Sequence, residues 1–180
     1  VRAAVTEAHS AGVTVAVHAY GGEAARNAIL AGAESIEHGF ELSDDLLKLM
    51  KEKGTFLVGT DFPESHLKNM LFNPVANGKT LGERIVDRLK RAHKTGVKLA
   101  FGTDVVTELS GKNRAEMMQD YFDVWVAAEI PPREILKAMT TNAAELLRLQ
   151  KRRGAIVPGL AADIIATPEN PLNDISALRK

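Results

Sequence analysis

Residues 12–18 read Gly-Val-Thr-Val-Ala-Val-His, a short β-branched run that follows a glycine and is succeeded by a histidine. Similar short runs follow Gly32, Gly54 and Gly96, each after a stretch of helical periodicity. Glycine suits the left-handed residue that ends many helices, and short, mostly apolar runs are typical of strands buried on both faces. Strands that alternate with helices predict an α/β chain with a parallel sheet. The four predicted strands are 13–17, 33–37, 55–58 and 97–101.

Helical periodicity fills most of the chain between and after these strands. Ser43 is a good N-cap for the helix that follows it, and two aspartates in the first turn complement the helix dipole. A long loop with its own short helix is expected at 61–80. The other predicted helices are 1–11, 81–94, 117–129 and 133–149.

Composition limits the classes of function. The 180 residues include no cysteine, and 23 basic residues balance 23 acidic ones. No disulfide framework or cysteine metal cluster is therefore possible, and nothing indicates a nucleic-acid partner. The apolar runs are too short to span a bilayer, so no membrane partner is expected. Because the chain opens on Val1 inside a helical pattern, we expect the C-terminal part of a longer protein, for which the cytoplasm is the favoured compartment.

Polar side chains follow all four predicted strands: His18, His38, Thr60 and Asp104. In parallel α/β folds functional groups collect where strands end at their carboxyl side. Imidazole nitrogen and carboxylate oxygen together suit Zn²⁺ or a similar divalent ion. Taken singly, each histidine also suits a structural hydrogen bond, and Asp104 suits a turn cap. The shared position in the repeat favours His18, His38 and Asp104 as metal ligands.

The other three histidines lack this registry. His9, His66 and His93 lie in helical or loop segments and are expected to be solvated. His66 is the one whose loop follows a strand closely enough to hang over the site.

Several motifs together resemble the amidohydrolase superfamily, in its imidazolonepropionase-like and Xaa-Pro dipeptidase-like (prolidase-like) branch. They are His-Ala-Tyr-Gly at 18–21, Ser-Ile-Glu-His-Gly at 35–39 and Gly-Thr-Asp at 102–104. Residues 140–145 resemble the last barrel helix of that family. Residues 154–165 resemble its closing Gly-x-Ile-x-x-Gly-x-x-Ala-Asp segment.

The resemblance covers almost the whole chain and implies a specific fold. Residues 1–150 would form strands five to eight of a (β/α)₈ barrel, the C-terminal half of its hydrolase domain. Residues 151–180 would belong to an accessory β-sandwich, with strands at 155–157 and 163–166.

The same resemblance implies metal-dependent hydrolysis of an amide, peptide or cyclic amide bond in a small-molecule or peptide substrate. His18 and His38 would bind one divalent metal, most simply Zn²⁺. Asp104 would bind a second and act as general base, since a metal lowers the pKa of bound water to ~7 and a carboxylate can carry the released proton to the leaving amine. Tyr20 and Thr60 are expected to contact the substrate.

The sequence also departs from the family pattern. It contains no His-x-His pair and no bridging lysine of the fourth strand. We therefore expect the isolated chain to be inactive. Because four parallel strands leave two open edges, we also expect association with a second copy or with an N-terminal half. Deaminases of the family tend to carry glutamate where this chain has Gly21, which favours amide hydrolysis over deamination.

Two other functions are compatible with parts of this pattern. A non-catalytic half-barrel that binds a metal or a partner fits the same residues without turnover. A doubly wound nucleotide-binding domain fits the strand and helix order, but no Gly-x-Gly-x-x-Gly follows the first strand, and that motif is what cradles a phosphate.

Overall fold

The computed structural model describes residues 1–67, 75–105 and 109–180. Four strands form one parallel sheet in the order of the sequence. They are β1 (Ala16–Gly21), β2 (Ser35–Glu41), β3 (Phe56–Val58) and β4 (Leu99–Ala100). The predicted parallel α/β arrangement is confirmed. β1 and β2 extend several residues past their predicted ends, so His18 and His38 lie inside strands rather than after them.

The helices follow the predicted alternation closely. They are α1 (Arg2–Ser10), α2 (Gly22–Ala31), α3 (Asp44–Lys53), α4 (Glu64–Leu67), α5 (Leu81–Thr95), α6 (Arg114–Ala127), α7 (Pro132–Met139) and α8 (Thr141–Leu146), with a 3₁₀ helix at Ile175–Arg179. Gly32, Gly54 and Gly96 end α2, α3 and α5 in the left-handed conformation. The glycine signals in the sequence therefore mark real helix ends. None of the helices in the described ranges is long and apolar enough to cross a membrane.

The hydrophobic core lies between the sheet and the helices on its outer face. Ile36 of β2 and Leu57 of β3 are fully buried there against Leu47 of α3 and Ile85 of α5. Burial of such side chains is the main term that stabilises the layered packing, about 1.5–3 kcal/mol for each. The opposite face of β1 is open, and Ala16, His18 and Tyr20 on it are exposed. The helices thus pack against one face of the sheet, and the side chains on the opposite face of β1 are accessible to solvent.

Two expectations for the C-terminal part were wrong. The predicted helix 133–149 is broken at Thr140, whose φ of −123° and ψ of −87° leave the helical region. The break lets Asn142 of α8 donate through Nδ2 to the carbonyl of Leu99 at 2.9 Å. No strand forms at 155–157 or 163–166. A strand needs a hydrogen-bonded neighbour, and the described residues offer none to these two segments.

The loop expected at 61–80 contains the predicted short helix, α4, but residues 68–74 of it lie outside the described ones. The division into a domain at 1–150 and a separate segment at 151–180 stays a prediction.

Gly21 has no room for a side chain against its partner strand. A Cβ at this position would lie 2.5 Å from the carbonyl oxygen of Glu41, its partner across the ladder. Since the obstacle is backbone, a side chain here forces the strands apart. Residue 21 must therefore be glycine for steric reasons, whatever its role in the chemistry of the site.

We therefore expect Gly21→Ala to lower the free energy of unfolding by about 2–3 kcal/mol, as overpacking does. Gly54→Ala is the matched control, because its φ is 72° but nothing lies within 4 Å of the added Cβ; left-handed strain alone costs about 1 kcal/mol there. Urea denaturation of both variants measures the difference. Equal losses would contradict the close approach of the two strands.

Candidate metal and catalytic site

One pocket lies at the carboxyl end of the sheet and collects the predicted site residues. His18, His38 and Asp104 all line it. The remaining lining residues are Tyr20, Phe40, Glu41, Phe62, Leu67, Leu81 and Arg84. The structure therefore brings together three side chains that are up to 86 residues apart in the chain, as their registry in the repeat predicts.

The two histidines are close neighbours. The ring centroids of His18 and His38 are 4.3 Å apart, and the ring planes meet edge to face at 68°. This contact is not what strand alternation alone would produce. His38 has the same parity as Ile36, which faces the core, and the ladder pairs His38 with Ala19 rather than with His18.

A backbone irregularity turns His38 into the pocket. Its φ is +70°, the following Gly39 has a φ of +60°, and the register of the β1–β2 ladder shifts at this point. Bulges of this kind re-aim side chains beside active sites. A non-glycine residue with positive φ is uncommon. The positive φ of His38 places its imidazole beside that of His18.

His38 is also held from behind. Its Nδ1 lies 2.7 Å from the hydroxyl oxygen of Thr60, and Thr60 is buried. Burial lowers the pKa of His38, the neighbouring His18 and Arg88 lower it further, and the charge of Asp104 opposes this fall. A neutral imidazole with Nδ1 engaged leaves Nε2 as its metal-binding nitrogen.

Asp104 approaches the pocket from the opposite edge of the sheet, after β4. It is exposed, and its φ of +47° turns the backbone sharply after β4. Its charge acts on neighbouring groups: burial raises the pKa of Glu37, the Ser35 hydroxyl opposes this, and Asp104 adds to the rise. Asp104 is therefore an accessible carboxylate within electrostatic reach of His38.

The donor set fits part of a divalent-metal site. Imidazole nitrogens are common ligands of Zn²⁺ and similar ions, and carboxylate oxygen is the usual companion. Within residues 1–67, 75–105 and 109–180, no three His, Asp or Glu side chains are placed to share one ion. The described residues thus offer an imidazole pair for one ion and a separate carboxylate, with further ligands required to complete the coordination.

The two residues expected to contact substrate have different surroundings. Tyr20 is 47% exposed at the rim and stacks on Phe40, with ring centroids 5.3 Å apart. Thr60 is only 3% exposed, is not among the lining residues, and has its hydroxyl on His38. The structure therefore places Thr60 behind His38 rather than at the surface that a substrate would meet.

A buried ion pair that local sequence patterns do not predict lies behind His38 and Thr60. Arg88 is fully buried, and its Nη2 donates to Asp61 Oδ1 at 2.8 Å and to the carbonyl of Gly59 at 3.2 Å. Burial raises the pKa of Asp61, while the charge and hydrogen bond of Arg88 and a hydrogen bond from Trp125 oppose it. One signal was available: Arg88 occupies a position on the apolar stripe of α5, between Ile85 and Ala92.

The expectation that His66 is solvated was wrong. Its side chain is 2% exposed, and its Nε2 lies 2.9 Å from Asp120 Oδ2. The ring also meets Tyr121 edge to face at 5.6 Å. His66 therefore ties α4 to α6 at a sequence separation of 54 residues, a contact that local sequence patterns do not reveal. His9, in contrast, is partly exposed and pairs with Glu34.

The chain is similar to known proteins over most of its length. The model of the amidohydrolase family matches residues 1–180. An ochratoxinase of Aspergillus niger is 32% identical over 98% of this chain and 37% of its own length. An imidazolonepropionase of Thermoanaerobacter pseudethanolicus is 30% identical over 88% of this chain and 35% of its own.

Solved structures show the same likeness. A Xaa-Pro dipeptidase, solved with methionine bound in its active site, is 35% identical and superposes with a TM-score of 0.83, over 98% of this chain and 44% of that one. This chain thus spans less than half the length of each of these three relatives. The expected fold class is confirmed: an α/β chain whose parallel sheet is part of a (β/α)₈ barrel.

Proposed function

This chain belongs to the amidohydrolase family, and we propose that it carries the imidazole pair and the proton-transferring carboxylate of a metal-dependent enzyme that hydrolyses C–N bonds. The observation that carries the proposal is the pocket in which His18 and His38 meet at 4.3 Å while Asp104 lines the same wall. The relatives support hydrolysis of amide bonds as the class of reaction.

His18 and His38 would hold one divalent ion through their ring nitrogens, with Zn²⁺ the expected ion for such donors. When bound, a divalent metal polarises a carbonyl group and lowers the pKa of water to about 7. The edge-to-face packing of the two rings and the 2.7 Å contact from His38 to Thr60 fix the direction of the donor nitrogens.

Asp104 would act first as general base and then as general acid. As water adds to the scissile carbonyl carbon, the carboxylate of Asp104 accepts its proton and then donates it to the leaving nitrogen, so that the C–N bond breaks to give a carboxylic acid and an amine. The exposure of Asp104 on the pocket side is what this role requires.

The pocket wall favours substrates with an apolar group beside the scissile amide. Phe40 lies between Tyr20 and Phe62, with ring centroids 5.3 and 6.1 Å away, and together they form an aromatic surface next to the histidines. The phenolic hydroxyl of Tyr20 would contact a polar group of the substrate at the rim. A dipeptide or an N-acyl amino acid has both features.

The complete site would need residues that the described chain does not supply. β1 and β4 each have a sheet neighbour on one side only within the described residues, and the face that carries His18 is open. We propose that an N-terminal half or a second copy pairs with these edges and completes the metal ligands, and that the isolated chain does not turn over substrate.

The test is metal content and turnover in the full-length gene product that carries this chain. We expect bound divalent metal, and hydrolysis of a panel of Xaa-Pro dipeptides and N-acyl amino acids that is lost on chelation. His38→Asn should lower metal affinity by at least about a hundredfold, because loss of a direct ligand exceeds the 10–100-fold cost of losing an outer partner.

His93→Asn is the matched control, since His93 lies in the last turn of α5 and does not line the pocket. If His38→Asn keeps both metal and turnover, the assignment of the site is wrong. Stoichiometric metal with no hydrolysis of any substrate in the panel would favour the non-catalytic module instead.

A further inference from the structure

We propose that Thr60 is a positioning residue: its hydroxyl accepts the Nδ1 proton of His38 and thereby directs Nε2 of that ring to the metal. The inference rests on the proposed function, because it takes His38 to be a ligand. The Nδ1–Oγ1 distance of 2.7 Å is that of a good hydrogen bond, and both side chains are buried. A ligand imidazole whose second nitrogen is so engaged has a fixed tautomer and ring orientation.

The backbone conformation of Thr60 supports a dedicated role. Its φ is +46°, a region that β-branched residues rarely occupy. Such a conformation persists only where the surrounding structure enforces it, and strained residues of this kind are enriched at functional sites. Thr60 lies two residues after the end of β3, between Gly59 and Asp61.

The surroundings that enforce it are the buried pair Asp61 and Arg88. One guanidinium nitrogen of Arg88, Nη2, bonds the carbonyl of Gly59 and the carboxylate of Asp61, the residues on either side of Thr60. A Cβ on Gly59 would lie 2.4 Å from Arg88 Nη1 and 2.3 Å from Asp61 Oδ1, so only glycine allows this close approach. Arg88 thus clamps the turn from both flanks and holds the Thr60 hydroxyl against His38.

The test compares Thr60→Val with Thr55→Val in the full-length gene product. Valine keeps the β-branch and removes the hydroxyl. Thr55 is a matched control: it is also buried, and its hydroxyl donates to the carbonyl of Ala33 at 3.3 Å, away from the pocket. We expect Thr60→Val to weaken Zn²⁺ binding 10–100-fold, Thr55→Val to leave it unchanged, and Thr60→Ser to restore it to within a few fold.

A second measurement does not depend on any variant folding. In the zinc-loaded protein labelled with ¹⁵N-histidine, we expect the signals of His38 to show a protonated Nδ1 and a metal-bound Nε2. Metal on Nδ1, or wild-type zinc affinity in Thr60→Val, would overturn the positioning role. If His38→Asn loses metal but Thr60→Val keeps it, only this inference fails. If His38→Asn keeps metal, the proposed function and this inference fail together.

Discussion

Asp104→Asn is expected to lower hydrolytic turnover in the full-length gene product by about 10²–10⁴-fold, the usual contribution of a positioned general base. Asparagine has the size of aspartate and tolerates the left-handed conformation that Asp104 adopts at a φ of +47°. The backbone after β4 should therefore be unchanged, while the side chain can no longer accept a proton from water. The measurement is kcat for the best substrate of the panel, with the free energy of unfolding recorded in parallel.

Asp45→Asn provides the control for this substitution. Asp45 lies in the first turn of α3, away from the pocket, and makes a long, exposed ion pair of 3.6 Å with Lys48, so turnover should stay at the wild-type level. A loss of less than tenfold in Asp104→Asn would remove Asp104 from proton transfer. If turnover falls but the free energy of unfolding also falls, so that part of the protein is unfolded in the assay, Asp104 acts as a turn cap instead.

Arg88→Met is expected to lower the free energy of unfolding by about 3–5 kcal/mol near pH 7.5, because it leaves the Asp61 carboxylate buried without its cation. Asp61 is 1% exposed and Arg88 is fully buried, so neither group can recover its hydration in place. Urea denaturation of the variant and the wild type gives the difference. Lys90→Met on the same helix is the control, since the Lys90–Glu129 pair is mostly exposed and should contribute less than about 1 kcal/mol.

The loss in Arg88→Met should depend on pH with a definite sign. Burial raises the pKa of Asp61 in the folded state, and removing Arg88 takes away the charge that opposes this rise. A carboxyl group whose pKa is higher in the folded than in the unfolded state stabilises the fold at pH values below its unfolded pKa. That contribution is lost as the pH rises through its folded pKa. The variant should therefore be most destabilised at neutral pH and closer to wild type in acid.

A second variant tests the same pair from the other side. Arg88→Met combined with Asp61→Asn removes both charges, and we expect it to be more stable than Arg88→Met alone at pH 7.5. A double variant no more stable than the single one would mean that the cost lies in packing rather than in the unpaired carboxylate.

Much of the fold, and the grouping of the candidate site residues, could be predicted from local sequence. The glycines at 32, 54 and 96 end helices in the conformation that glycine adopts most easily, and the runs after them pair into one parallel sheet in chain order. Equivalent positions of a repeated βα unit lie at the same, carboxyl end of the sheet. His18, His38 and Asp104 therefore line one pocket.

Only the tertiary structure decided how the site is held. Strand alternation alone would have sent the His38 side chain to the face of Ile36, and a positive φ with a shifted register turned it toward His18 instead. The buried partners Arg88 and Asp61 are 27 residues apart, and His66 and Asp120 are 54 apart. Propensity, capping and periodicity act over a few residues and so can be read from the chain, whereas strained backbone and buried polar pairs exist only where distant segments pack around them and offset their cost.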